Sequence, residues 1–555
     1  MNHSVGDTPS RSGEQDLPPV PLSQSELKEK WMKILLIDVD SLRPDHLGWY
    51  GYQRDTSPII DDLARNGVTF ERCYASDTPC LPSRTALATC RFGIAAGVVA
   101  HYGDGQWYTQ PGSGHDPDPD RPLSFRHLAK HGVHTASISS FAQRHLAYHF
   151  SGAFQESIQP TATAGTKATE SRADVTPLAV DWIERHADAG DWLLHVNYWD
   201  VHHPYDDIDD CVERVRRSGS PPEWPDEETL EEHRTTTGPR SASQWPTPGY
   251  LERTTVEEGL LNHGDWGMPV QFDDRDAVEH LFDGYDASIR AIDDEVGTLL
   301  ETLERVGIRE ETAAVLTADH GEALGEHGVY AEHALPHLPC QRVPMIVSWP
   351  GVTDDAAGAI VDDQVYQFDL LATICDLADV SVPSGWDADS FAPALRGDAF
   401  DGRETIVAGH GIYTFGRAVY RGKWAYARFF HPGTFSYPGL YNDSSLPNDG
   451  RELLHDLEAD PHMTTNLIED APDVAAELRA ELDAWLAEQI SDGWPDRRPA
   501  SAHGTDSLAA MASRGPYLYV DPTELCSAYR DGDWSDRQVA ALERSLERYP
   551  RTEES

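Results

Sequence analysis

The sequence predicts an α/β protein, a three-layer αβα sandwich around a large mostly parallel sheet, followed by a smaller C-terminal α+β domain. Three observations carry that expectation. Short apolar runs alternate with amphipathic helical stretches, the pattern of a parallel sheet covered on both faces. Several of those runs end directly in aspartate or histidine, where ligands of open parallel sheets bind. After Gly385 the texture changes to alternating residues that suit hairpin strands, with one long helical stretch behind them.

In order, Met1 to about Glu29 is polar and reads as a flexible arm, taken as residues 1–30. The apolar run Lys33–Val39 suits a buried strand, ended by Asp40, Ser41 and Pro44. Ser57-Pro58 opens a helix as cap and first residue, and Gly67 stops it. The stretch Asp77-Thr78-Pro79-Cys80-Leu81-Pro82-Ser83-Arg84 then leads into a helix expected over Ser83–Cys90, because proline suits a first helical turn. Ser124–Lys130 reads as helix, His134–Ile138 as strand, Val175–Ala187 as helix and Trp192–Tyr198 as strand. Residues 206–274 are polar and too long for an ordinary connection, so they read as an insertion and a lid over the site. The clearest helix follows, with Val278, Leu281, Tyr285, Ile289, Ile292, Val296, Leu299 and Leu303 at steps of three and four, ended by Gly307. Ala313–Thr317 and Val343–Val347 complete the strands of a catalytic α/β domain over 31–390. In the small domain, 391–490, Arg417–Tyr420 and Lys423–Phe429 alternate like hairpin strands and Val474–Ile490 is helical. Residues 491–555 form an extension.

Lys+Arg 44 against Asp+Glu 94 gives a net charge of −50. Such a surface repels nucleic acid and anionic membranes, so neither is expected as a partner. The acid excess runs along the whole chain, as in a halophilic protein whose self-repulsion is screened by salt. No apolar run is long enough to span a membrane, and no signal peptide is visible at the start. Seven cysteines without paired spacing argue against a disulfide framework and for a reducing, cytoplasmic setting.

The chemistry concentrates at four places. Cys80 sits at the mouth of its helix, where unpaired amides and the dipole favour an anion, and Arg84 adds a permanent cation one turn in. Asp40 ends the first strand, the Trp192 strand runs into Asp200, His202 and His203, and the Ala313 strand runs into Asp319-His320-Gly321. Asp40, Asp319 and His320 offer two carboxylates and an imidazole to a hard divalent cation. Asp38, two residues before Asp40, is read as facing the other side of the strand and is assigned no role.

The spacing Cys80-x-Pro82-Ser83-Arg84 resembles the sulfatase signature, whose cysteine is oxidised after synthesis to formylglycine. From about Lys33 to Ile490 the motifs follow in the order of the formylglycine-dependent, arylsulfatase-like sulfatases of the alkaline phosphatase superfamily, here as a haloarchaeal-type member. The resemblance implies that Asp40, Ser41, Asp319 and His320 hold one divalent cation, calcium favoured, with magnesium or manganese as alternatives. Ser41 stands where the family has a second aspartate, so a weaker cation site is expected. Leu324-Gly325-Glu326-His327-Gly328 continues the second metal motif, and Asp460 to Leu467 resembles the segment that closes the small domain. His202 matches the histidine that holds the sulfate oxygen or the bridging oxygen. Two family lysines are absent: Ser140 takes the place of the first, with Arg144 or His145 as substitute, and the second falls near Glu332, with His333 beside it. The implied reaction is attack on sulfur by a hydroxyl of the hydrated aldehyde, charge being offset by Arg84, His202 and the metal. His333 then protonates the leaving alcohol. Implied partners are a small-molecule or saccharide sulfate ester and a formylglycine-generating enzyme. Two other readings stand beside this one, a phosphodiesterase or phosphonate monoester hydrolase on the same scaffold and an unmatured, non-catalytic acidic binding protein.

Overall fold

A computed structural model describes residues 32–491 and Met511, apart from 102–107, 109–111, 114–115, 118–119, 162–169, 204, 237–255, 258–259, 262–265, 270–271, 273, 334, 413 and 432–450. The expected arm 1–30 and nearly all of the extension 491–555 lie outside the described residues.

The elements that matter for the site are β1 (Lys33–Val39), α1 (Pro58–Arg65), β2 (Val68–Tyr74), β3 (Asp77–Thr78), α2 (Cys80–Thr89), α3 (Ser124–Lys130), β4 (His134–Ile138), α4 (Phe141–Arg144), β5 (Glu156–Ile158), α5 (Arg172–His186) and β6 (Trp192–Tyr198). They continue with α6 (Asp209–Ser218), α7 (Glu227–Thr236), α8 (Arg275–Arg305), β7 (Thr312–Thr317), β8 (Arg342–Ser348), β9 (Ala359–Val361) and β10 (Val365–Tyr366). The large sheet runs β9-β2-β8-β7-β1-β6-β4-β5, with β10 also on β2. At its centre β1 is parallel to both β7 and β6, with Lys33 opposite Thr312 and Trp192. Every residue of β1, β6 and β7 is buried, which is why these runs carry almost no polar alternation. Helix α8 packs against α5, α6 and α1, while α2 packs with α3.

Strand β8 departs from the expectation of a parallel sheet, running antiparallel to both β7 and β2. Among its described residues the link from β7 holds a small hairpin, Ala323–Leu324 with Tyr330–Glu332, and only short helical turns at Glu326–Gly328 and Leu338–Gln341; it has no long helix of the kind that carries a parallel crossover over the sheet face. The cysteine helix also starts earlier than expected. It spans Cys80–Thr89, with Pro82 within its first turn and Cys90 at φ +50° closing it. The insertion 206–274 holds two helices in its described part. Of these, α6 lies along α8 through Arg214–Asp294 and Arg216–Asp283 ion pairs, and much of the remainder falls outside the described residues.

The small sheet is built from β11 (Thr405–Ile412), β12 (Thr414–Arg421), β13 (Trp424–His431) and β14 (Glu452–Asp456), antiparallel throughout. The helix α9 (Pro472–Ser491) packs on it through Ala475, Leu478 and Leu482, against Val407, Val419, Tyr426 and Leu454. Beside β11, β3 adds a fifth, edge strand in parallel two residues before Cys80, so the Cys80 loop is stitched to this second sheet. No described helix is long and apolar enough to cross a membrane.

Candidate active site

The carboxyl ends of β1 and β7 and the first turn of α2 meet at one buried point. Asp40, Cys80, Asp319 and His320 each bring a donor atom to within 4.8 Å of the others. Cys80 Sγ lies 3.2 Å from His320 Nε2. Ser83 Oγ donates to the Asp319 carbonyl at 2.7 Å, tying the helix start to the end of β7. Gly321 is required by close approach, since a Cβ there would sit 2.0 Å from the Pro339 carbonyl oxygen.

Arg84 organises the carboxylates. Its Nε donates to Asp38 Oδ2 at 2.8 Å, and its Nη1 donates to Asp40 Oδ2 at 2.9 Å and Asp319 Oδ2 at 2.7 Å. All four side chains are fully buried. This corrects the reading of Asp38. Residues two apart share a face of a strand, so Asp38 falls beside Asp40 and not behind it. Asp38 also lies 3.2 Å from His195 Nε2, whose Nδ1 meets Ser137 Oγ at 2.9 Å.

Three carboxylates therefore face one guanidinium. Against the cost of burial, Arg84 holds Asp40 well below the usual carboxylate range. Burial, with Asp40 nearby, pushes Asp319 up to about 7. The pocket is short of positive charge, which is the condition a divalent cation satisfies. The imidazole is prepared as well. His320 Nδ1 donates to the Gly321 carbonyl at 2.8 Å, leaving the Nε2 lone pair toward Asp319 Oδ2 at 3.5 Å and Asp40 Oδ1 at 3.8 Å. Ser41, at φ +60°, donates its hydroxyl to Asp40 Oδ1 at 3.1 Å and its N–H to Asp319 Oδ1 at 3.3 Å. Asp40, Asp319 and His320 thus stand together as donors that could hold a metal ion, with Ser41 hydrogen-bonded to both carboxylates.

The remaining expected residues line the same pocket. His333 faces His320 with ring centroids 4.4 Å apart and His202 at 5.4 Å. Its Nδ1 is 3.3 Å from Glu322 Oε1, and burial among other histidines holds it far below the ordinary imidazole range. His202 donates Nδ1 to the His203 carbonyl, and burial lowers it to about 4. Arg144 lies with its guanidinium carbon 3.5 Å from the centre of the Trp199 ring, and His202 stacks on the same ring at 4.1 Å. An ion pair with Glu170 at 3.2 Å is off hydrogen-bonding alignment, so the three guanidinium nitrogens remain unbonded in a buried place. His145 sits edge-on to His101 at 4.6 Å.

Four residues of this pocket escaped the sequence. Asp38 was visible through the period of two. Trp199, directly after β6, signals nothing by its position, yet it holds both Arg144 and His202. His101 lies on the segment after the short helix Gly93–Ala96, pinned by a 2.7 Å bond from its N–H to the Gly411 carbonyl of β11. Glu322, buried and pushed well up, follows the metal motif closely enough to be read as part of it.

Comparison with known proteins agrees with this geometry. The sulfatase family model matches residues 33–380. An ulvan-active sulfatase of Formosa agariphila is 23% identical over 480 residues, covering 83% of this chain and 81% of that protein. An N-acetylglucosamine-6-O-sulfatase of Bacteroides thetaiotaomicron is 30% identical over 217 residues, 39% of this chain and 37% of its own. Among solved structures, a 2-O GAG sulfatase superposes with a TM-score of 0.60 at 19% identity, covering 84% of this chain and 93% of that one. None of these relatives carries a haloarchaeal source, and that expectation draws no support from them. With a family model spanning the whole sheet and all the motifs that build the pocket, the chain belongs to the sulfatase family and is a sulfuric ester hydrolase.

Proposed function

We propose that the chain cleaves the sulfate ester of a saccharide or small alcohol, using a formylglycine made from Cys80 and one divalent cation held by Asp40, Ser41, Asp319 and His320. The observation that carries this is the convergence of Cys80, Arg84 and the three metal-side residues on one buried point. Calcium is the favoured cation because carboxylate oxygens lead the donor set. When present, the cation supplies positive charge and acidity, and the aldehyde supplies the nucleophilic hydroxyl.

The chain's own residues do the rest. Arg84 keeps the carboxylates in place and has its Nη2 left without a partner for a sulfuryl oxygen. Arg144, braced on Trp199, takes the charge-offsetting part of the absent first lysine, with His145 and His202 beside it. His333 protonates the leaving oxygen from Nε2, while Nδ1 is resupplied from Glu322 at 3.3 Å. The names of an ulvan-active sulfatase and an N-acetylglucosamine-6-O-sulfatase among the relatives support a sugar sulfate as substrate. The reading extends to maturation by a formylglycine-generating enzyme and to a cytoplasmic, high-salt setting. The six described cysteines, all free and buried, and the charge of −50 support that setting.

The test is the intact mass of the Cys80 peptide from the native host, with matched turnover of aryl sulfate and aryl phosphate or phosphonate esters. An aldehyde mass, preference for sulfate, and loss of both metal and activity in Asp319→Ala are expected. A bare thiol in fully active protein overturns the nucleophile, and a preference for phosphorus esters overturns the substrate class.

A further inference from the structure

Cys80 is flanked by imidazoles on two sides. Besides His320, the rings of His101 and His145 each bring a nitrogen to within 4.8 Å of the other and of the Cys80 sulfur. Both rings are short of partners. His101 Nδ1 and His145 Nε2 are buried with no hydrogen bond, and His101 is only 9% exposed. A buried ring nitrogen without a partner is destabilising, and here two such groups stand side by side next to one sulfur. They also come from independent elements. His101 hangs from β11 through its N–H to Gly411, and His145 follows α4 with its N–H on the Phe141 carbonyl at 3.0 Å.

One sulfur and two imidazoles form a donor set unlike that of Asp40 and Asp319. Carboxylates suit hard cations, whereas thiolate and imidazole suit zinc and its neighbours, which take four ligands. His320 Nε2, 3.2 Å from the sulfur, stays with the Asp40 and Asp319 set on the other side of Cys80. Charge does not forbid the site. Arg84 is already committed to three aspartates, and a thiolate with Asp40 nearby offsets the Arg144 guanidinium.

We propose that the chain with Cys80 unconverted holds a zinc-class cation on Cys80, His101 and His145, and that conversion of Cys80 abolishes this site. Binding is a simple exchange: the thiol gives up its proton, the sulfur keeps its electron pair and donates it to the cation, and nothing is oxidised. The residue at position 80 then decides which metal the pocket prefers. As thiol it selects a soft cation on the His101 side, and as aldehyde it leaves the hard-cation set on the Asp319 side. A sulfur committed to zinc is also withheld from oxidation, so zinc would hold the folded, unconverted chain in an inactive form. This site rests on the reading that Cys80 is the residue converted to the aldehyde, but metal binding by the thiol form is measured without any ester.

The experiment uses the full chain made in a host that leaves Cys80 as a thiol, checked by intact mass, stripped of metal and titrated with cobalt(II). One equivalent should bind with a thiolate-to-cobalt charge-transfer band that zinc displaces. Cys80→Ser should lose the band, which excludes the other cysteines as its source. His101→Ala and His145→Ala should each weaken binding at least ~10-fold, a loss that even an outer partner of a metal site can cause. His101→Gln serves if the alanine variant melts early. Asp319→Asn should keep the band, and aldehyde-containing protein should lack it. Absence of the band in the thiol form overturns the proposal. So does a band that survives both histidine variants and vanishes in Asp319→Asn.

Discussion

Replacing Arg84 by methionine should unfold the protein most readily where its carboxylates are most charged. In the native pocket one guanidinium contacts Asp38, Asp40 and Asp319 at 2.7–2.9 Å, all without solvent exposure. Breaking a buried ion pair by removing one partner costs about 3–5 kcal/mol. The three contacts share a single cation, so their losses do not add. A loss of about 4 kcal/mol at the low end of the ~2–4 °C per kcal/mol seen in large domains lowers Tm by about 8 °C. The sign of the pH dependence follows from linkage. Without Arg84 the aspartates titrate above their unfolded values, so the folded state binds protons that the unfolded state has released. Stability is then greatest near the unfolded aspartate value of about 4 and lost progressively toward about pH 8. A divalent cation takes over part of the missing charge, so calcium should raise Tm more in Arg84→Met than in the parent. Arg84→Lys should recover only part of the loss, because a point charge cannot span three carboxylates as the fork does. The assay is calorimetry at fixed scan rate on metal-stripped protein across that pH range, with and without calcium. A Tm within about 2 °C of the parent near pH 8, or a loss independent of pH, would refute the reasoning.

Asp38→Asn removes a contact to both Arg84 and His195, and metal affinity or activity should fall about 10–100-fold, as for other groups that orient a metal site. Turnover and metal titration unchanged within experimental scatter would return Asp38 to a purely structural part. His333→Ala should slow esters of poor leaving groups far more than activated aryl esters, because only the former need a proton. Equal losses on both would place the acid elsewhere. Stability should rise from low salt to molar KCl, where the screening length shrinks to ~3 Å and the charge of −50 no longer repels itself. A Tm that stays flat or falls over that range counts against the halophilic reading.

Most of the site was legible because it is written in contiguous motifs. Cys80 and Arg84 lie one helical turn apart, and Asp319-His320-Gly321 begins two residues after a strand whose seven-residue neighbour β1 leads into Asp40. Parallel strands point their carboxyl ends the same way, so such motifs must converge once the sheet is recognised. The core strands were equally plain, since complete burial demands uninterrupted apolar runs. What the linear chain does not carry is direction and cross-contact. Strand β8 reads the same parallel or antiparallel, because its residues report burial and not the sense of the chain; only its pairing with β7 and β2 decides. Asp38 needed the period of two and the position of Arg84 together. His101 and Trp199 gained their places from β11 and from the Arg144 guanidinium, partners far away in sequence. Local spacing therefore determined which chemistry this protein holds, through helix turns and strand ends. The tertiary structure alone decided which isolated side chains join it, because a contact between distant segments leaves no periodic trace in either.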